Sequence, residues 1–326
     1  MKATISATYS PSALLRFEET DVPEPADDEM LVRVHSASVN ALDWRMATGK
    51  PYVMRLTTGL RKPKQRIRGV DISGRVEAVG TNVSGFKPGD EVFGVANGSF
   101  AEYASGDPRE LILKPAAMSH EQAAALPIAG VTALMAVRNS GQMQPGQRVL
   151  INGAAGGVGH MAVQIAKALG AETVAAVCST RNVELVRSLG ADRVFDYSAE
   201  DFASSGERYD LVVDAVGNRS LGDLRRVLAP KGTLVLVGGG GGWLLGPITQ
   251  FLKAFVVRRF VSQKIVVTMG KVDTARLHDL VALFETGQIA PVIDRSYELA
   301  EGAAAVDLLE QGHARGKTVI AVASWQ

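Results

Sequence analysis

The stretch INGAAGGVG at residues 151–159 has the residue types that let a backbone hold an anion. An apolar run, RVL, leads into it and an apolar pattern of helical period, HMAVQIAKALGA, leads out, so the glycines stand at a strand-to-helix turn. At such a turn the first amides of the helix have no carbonyl partner and face outward as an anion site. The usual pattern is G-x-G-x-x-G; here Ala154 takes the first place while Gly156 and Gly159 keep the others. Gly156 lets the backbone approach a pyrophosphate, and Gly159 lets the helix lie close on the strand. Ala154 is a small change, and Gly153 and Gly157 add freedom to the turn. The turn is predicted to hold a dinucleotide.

Which dinucleotide depends on the end of the next strand, TVAAVC. An acid there, some twenty residues on, would bond a ribose 2′-hydroxyl. The chain instead reads CSTRN at 178–182, with no acid between Thr173 and Val183. Ser179 and Thr180 offer hydroxyls and Arg181 a guanidinium suited to a phosphate. The expected cofactor is therefore NADPH.

These residues need a scaffold, and the chain supplies one. From about residue 120 strands and helices alternate: RVLING, TVAAVCS, RVFDY, DLVVDAVG and GTLVLVGGGGG, joined by helical or irregular stretches. This rhythm predicts a doubly wound parallel sheet, an α/β architecture. The first part is β-rich, with MLVRVHSASV (30–39) and GRVEAVG (74–80) patterned as half-buried strands. DTARLHDLVALFETGQI (273–289) reads as an amphipathic helix and RGKTVIAVA (315–323) as a closing strand.

Composition narrows the function. The 326 residues are 46% hydrophobic and 21% charged, with formal net charge +1, which gives no general field for nucleic acid or anionic membrane. No apolar run of membrane-spanning length and no secretory h-region is seen, so the expected setting is cytoplasmic, without stable membrane insertion. Cys178 is the single cysteine, which rules out an intramolecular disulfide, and the five histidines are scattered, so no metal site is expected.

Four stretches in order, GVDISGRVEAVGTNVSGFKPGDEVFG (69–94), GSFAEYA (98–104), LPIAGVTAL (126–134) and GAAGGVG (153–159), resemble the medium-chain dehydrogenase/reductase superfamily. Within it they are most similar to the zinc-independent quinone oxidoreductase, or zeta-crystallin-like, branch. The resemblance implies a GroES-like β-rich catalytic domain from residues 1–122 and 270–326, a Rossmann domain over 123–269, a cofactor cleft between them and a homodimer. Zinc-dependent relatives carry a ligand cysteine near SVNALD and a ligand histidine in a Gly-His-Glu motif. Asn40 and Ala41, and Val70 of GVD, stand in those regions, and the four-cysteine lobe is missing too.

Carried over by motif, the resemblance puts Asn40 and Thr132 at the nicotinamide end of the cofactor and Ala155, Gly156, Gly157 and Val158 along the pyrophosphate. It puts Ser179, Arg181 and Tyr197 around the adenosine 2′-phosphate, and Val216, Gly217, Val237 and Gly238 at the border of the cleft. Lys317 is placed within reach of the cofactor. Without a metal Lewis acid, quinones and α,β-unsaturated carbonyls suit the site, because the acceptor itself delocalises the incoming charge. The expected activity is NADPH-dependent hydride transfer to such an acceptor, a small apolar carbonyl compound. A carbonyl reductase or alcohol dehydrogenase, and a non-catalytic NADPH-binding module, are the alternatives. Tyr52 is the first candidate for the proton donor; Asp43 is read as bonding nearby backbone.

Two stretches stand apart. VMRLTTGLRKPKQRIR (53–68) carries six basic residues and is read as a solvated loop, or else as an electropositive lip that attracts phosphates or an anionic substrate. WLLGPITQFLKAFVVRRF (243–260) is read as a helix packed in the substrate cleft or dimer interface, or else as an interfacial membrane helix; glycines 238–242 before it would let it move as a lid.

Overall fold

The computed structural model describes residues 1–237, 248–257, 259, 261–268, 270–312 and 315–322. The strands, in chain order, are β1 Lys2–Ile5, β2 Arg16–Glu19, β3 Met30–Ser38, β4 Asp71–Val79, β5 Glu91–Val95, β6 Tyr103–Gly106 and β7 Leu111–Leu113. They continue as β8 Arg148–Asn152, β9 Thr173–Cys178, β10 Arg193–Asp196, β11 Tyr209–Asp214, β12 Leu228–Leu236, β13 Lys264–Val267, β14 Ile293–Glu298 and β15 Lys317–Ala321.

Contacts divide the chain into two compact units: 1–129, 272–285 and 291–326 form one, and 130–271 with 286–290 the other. Residues 286–290 fall with the second unit. The Gln164 side chain explains why: its Nε2 donates to the Ala290 carbonyl at 3.0 Å and its Oε1 accepts from the Ala290 amide at 2.9 Å.

The first unit is β-rich. Its main sheet runs β14-β15-β3-β4-β5-β7, with β6 also paired to β3. The nine-residue β3 is its spine, and Val32 and Val34 pack with Ile72, Val92, Phe100 and Leu111 in the core. Because β15 comes from the far end of the chain and pairs with β3 at Val319–Ser38, Lys317 lies beside the residues that follow β3.

The second unit holds the parallel sheet β10-β9-β8-β11-β12-β13. The inner strands β8, β9 and β11 are buried on both faces, so they carry runs of valine, leucine, isoleucine and alanine without alternation. Leu150, Val177, Phe195, Val212 and Leu234 meet in its core. Chain order reverses direction at β8, which places the crevice of a doubly wound sheet at the carboxyl end of that strand.

Candidate functional site

The turn after β8 is built around Gly153, whose φ of +84° only glycine adopts without strain. The Gly153 and Ala154 amides both donate to the Val177 carbonyl, at 3.2 and 3.0 Å, which ties the turn to the end of β9. Ala154 is fully buried and needs no left-handed backbone, so alanine fits in the first glycine place. Gly159 has no room for a side chain: a Cβ would overlap the Gly153 carbonyl and approach the Ala154 Cα to 2.8 Å. At Gly156 the nearest atom to a Cβ would be the Gly153 carbonyl oxygen at 3.4 Å, which leaves the outer side of the turn open. The amides of Ala155, Gly157 and Val158 donate to no backbone carbonyl among the described residues. The helix Gly159–Ala168 begins directly behind them, so three amides without a backbone partner lie together at the positive end of a helix dipole. This cradle fits the pyrophosphate of a dinucleotide.

At the end of β9, Ser179 Oγ accepts from the buried Asn182 amide at 3.1 Å, while Arg181 is exposed and Tyr197 is 58% exposed. The Cys178 thiol just before them is pushed up to about 11, by burial first and by the Asp196 carboxylate second. Asp196 was missed in the sequence because acids were sought only along β9 and its turn. The register pairs Asp196 with Cys178, and the Tyr197 amide donates to the Cys178 carbonyl at 3.1 Å, so a carboxylate from the next strand stands at this turn.

Val216 and Gly217 are held by a residue the sequence reading also passed over. Asp214 is fully buried, and its Oδ1 accepts from the Val216 and Gly217 amides at 3.2 and 3.0 Å and from Asn152 Nδ2 at 2.9 Å. Burial raises its carboxyl above the usual range, against the pull of these donors. Asn152 ends β8, so this clip connects the glycine turn with the loop after β11. The signal in the sequence was an Asp closing an apolar strand. Val237 is half-buried, its amide on the Asp214 carbonyl at 3.0 Å; Gly238, and with it the lid read from glycines 238–242, lies outside the described residues. Thr132 is 7% exposed, and Gly270 lies against it so closely that a Cβ there would overlap its side chain.

In the first unit Asn40 enters a buried polar network. Asp71 Oδ2 accepts from Ser38 Oγ at 2.7 Å, Asn40 Nδ2 at 2.8 Å and Lys317 Nζ at 3.3 Å, and its Oδ1 accepts from the Ile128 amide at 3.1 Å. Lys317 Nζ also donates to Asn40 Oδ1 at 2.6 Å and to the Val39 carbonyl at 3.1 Å. Its three donors are thus committed inside the unit, and it grips Asn40 instead of extending as a free ammonium. Asp43 Oδ2 accepts from the Asn40 amide at 2.7 Å, so it caps helix Ala41–Thr48. Burial, more than any neighbour, pushes the Asp43 carboxyl up to about 7.

The basic stretch 53–68 is not uniformly solvated. Arg61, Lys62, Lys64 and Arg66 are exposed, but the Arg55 guanidinium lies over the rings of Tyr9 and Tyr52, 4.2 and 4.4 Å from their centroids. Arg68 is 2% exposed, with no hydrogen bond to its guanidinium among the described residues, and burial lowers its pKa. Arg68 follows a β-bridge residue, Ile67, and turns inward because its own amide and carbonyl bond Thr4 and Phe100. Tyr52 itself is 38% exposed. The helix Ile248–Val257 buries Ala254 against the core of the second unit and leaves Leu252, Phe255 and Val256 exposed. Residues 243–247 of that stretch lie outside the described ones.

A zinc ion does not fit this donor set. Asn40, Ala41 and Val70 stand where ligands would be needed, and no cluster of three His, Cys, Asp or Glu able to hold a metal occurs among the described residues. No described helix is long and apolar enough to cross a membrane.

Residues 26–116 match the alcohol dehydrogenase GroES-like domain and residues 189–320 the zinc-binding dehydrogenase domain. A chloroplastic quinone-oxidoreductase of Triphysaria versicolor is 32% identical over 95% of this chain and 94% of its own. A chloroplastic NADPH-dependent alkenal/one oxidoreductase of Arabidopsis thaliana is 33% identical over 98% of this chain and 79% of its own. Among solved structures, the quinone oxidoreductase of Coxiella burnetii is 32% identical and superposes with a TM-score of 0.86, covering 99% of both chains.

Proposed function

The chain belongs to the medium-chain dehydrogenase/reductase superfamily, in its zinc-independent quinone oxidoreductase branch, and from that premise we propose that it is an NADPH-dependent reductase of quinones and α,β-unsaturated carbonyls. The observation that carries the reading is the glycine turn after β8, where the amides of Ala155, Gly157 and Val158 donate to no backbone carbonyl among the described residues. A nicotinamide dinucleotide is the cofactor, and bound there it supplies a hydride. Arg181 and Ser179 support the phosphorylated form, since both can donate to a 2′-phosphate. Within the first unit the Asn40 amide is held at both ends, its Nδ2 by Asp71 and its Oδ1 by Lys317.

The chain's own contribution to the reaction is binding, orientation and a proton. With no metal donor set among the described residues to polarise a simple ketone, the acceptor has to carry the developing charge itself, and conjugated carbonyls do. Tyr52 Oη is the proton source in this reading. The protein acts as a homodimer in the cytoplasm: Leu252, Phe255 and Val256 form an apolar face beside β13, the edge strand of the second sheet, and the single cysteine is buried.

The test is oxidation of NADPH, followed at its absorbance, with an ortho-quinone, an alkyl vinyl ketone and a simple ketone. Turnover on the first two and little on the third supports the reading. Preference for the simple ketone makes the protein a carbonyl reductase. Tight NADPH binding with no turnover on any acceptor makes it a binding module.

A further inference from the structure

The adenosine end of the site contains two groups of opposite character. Ser179, Arg181 and Tyr197 can all donate to an anion. Against them stands Asp196, at the end of β10 and in register with Cys178, the last residue of β9. Its Oδ1 accepts from the Ser198 amide at 2.9 Å, and the Thr180 hydroxyl, the Thr180 amide and the Ser198 hydroxyl also donate to the carboxylate. The Thr180 hydroxyl is the main cause that holds this carboxyl below its ordinary range, so the group is an anion at neutral pH. Because Thr180 donates its proton to Asp196, what its oxygen presents to a ligand is lone pairs.

A ribose diol and a 2′-phosphate respond to such a pair in opposite ways. A 2′-hydroxyl is a donor and finds an acceptor in Thr180 Oγ1. A 2′-phosphate needs donors and meets a fixed negative charge. We propose that Asp196, acting with Thr180, is a cofactor-specificity residue that keeps NAD(H) usable beside NADP(H), opposing the phosphate preference set by Ser179 and Arg181. This rests on reading the turn after β8 as a nicotinamide dinucleotide site. Two charges a few ångströms apart at an exposed site change an affinity by about tenfold, and more salt shrinks the effect.

Calorimetric titration with NADP⁺ and with NAD⁺ tests it without relying on turnover. Asp196→Asn keeps the shape and removes the charge, and Thr180→Val removes the hydroxyl while leaving the backbone. The ratio of the NAD⁺ to the NADP⁺ dissociation constant rises about tenfold in Asp196→Asn, most of all at low salt. Thr180→Val weakens NAD⁺, and the double variant weakens it no further than the stronger single one, since the two residues act as a pair. A ratio within twofold of the parent in Asp196→Asn, or one shifted toward NAD⁺, overturns the inference while leaving the dinucleotide site intact. If the folded parent binds neither dinucleotide, the reading of the turn itself falls.

Discussion

Replacing Lys317 by methionine tests how the first unit holds Asn40. The ammonium is 2% exposed and lies 3.3 Å from the fully buried Asp71 carboxylate. Methionine fills a similar volume but removes all three donors, leaving Asp71 with Ser38, Asn40 and the Ile128 amide. Removing one partner of a buried pair costs about 3–5 kcal/mol, and those remaining donors put this site at the low end, near ~3 kcal/mol. For a unit of this size ~1 kcal/mol moves Tm by about 2–4 °C, so the melting temperature falls by about 6–12 °C. The cost comes from the stranded carboxylate, so Asp71→Asn added to Lys317→Met recovers part of it. Thermal unfolding by circular dichroism of the parent, the single variants and the pair measures both effects. A Lys317→Met protein melting within 2 °C of the parent refutes the argument, and so does a pair that melts no higher than Lys317→Met alone.

The remaining predictions concern the turn and the buried carboxyl. Gly159→Ala places a Cβ on the Gly153 carbonyl, so the turn must open and NADPH binding falls by at least about tenfold, measured by fluorescence titration. Burial pushes the Asp43 carboxyl from its ordinary 3.8 up to about 7, so the folded state binds the proton more tightly. Its contribution is complete below pH 3.8 and is lost as the pH rises through about 7. Asp43→Asn has no such loss, so its stability advantage in urea unfolding grows across that window and stays level above it; an advantage that shrinks with rising pH contradicts the assignment. His120 is the opposite case: burial first, and His35 stacked 4.1 Å away second, lower it to about 4, so folding stability is lost as the pH falls from 6.5 toward 4. His120→Gln flattens that acid limb of the stability profile.

Much of the parallel sheet was legible because its signals are local. Strands β8 and β9 are largely apolar runs, and a glycine turn and Asn182 stand before the helices that follow them, so β8, β9 and the turn between β8 and its helix could be placed from their own residues. What escaped the sequence comes from pairings across distance. Asp196 lies at the β9 turn only because β10 stacks in register beside it, and Asp214 reaches Asn152 only because β11 and β8 are neighbours. Lys317 meets Asp71 because the last strand of the chain joins the sheet next to β3. The basic stretch 53–68 shows the same limit: charge alone gives no sign that Arg68 turns inward while its neighbours face water.

The central claim is that the turn after β8 and Arg181 together hold NADPH for hydride transfer. It is tested most directly by kcat/KM for NADPH and for NADH, with one quinone acceptor, in the parent and in Arg181→Ala. The account predicts that the parent prefers NADPH and that the variant loses about tenfold or more on NADPH while NADH is little changed, since only the phosphorylated cofactor carries the 2′-phosphate that the guanidinium would bind. Equal use of the two cofactors by the parent, or an equal loss on both in the variant, contradicts it.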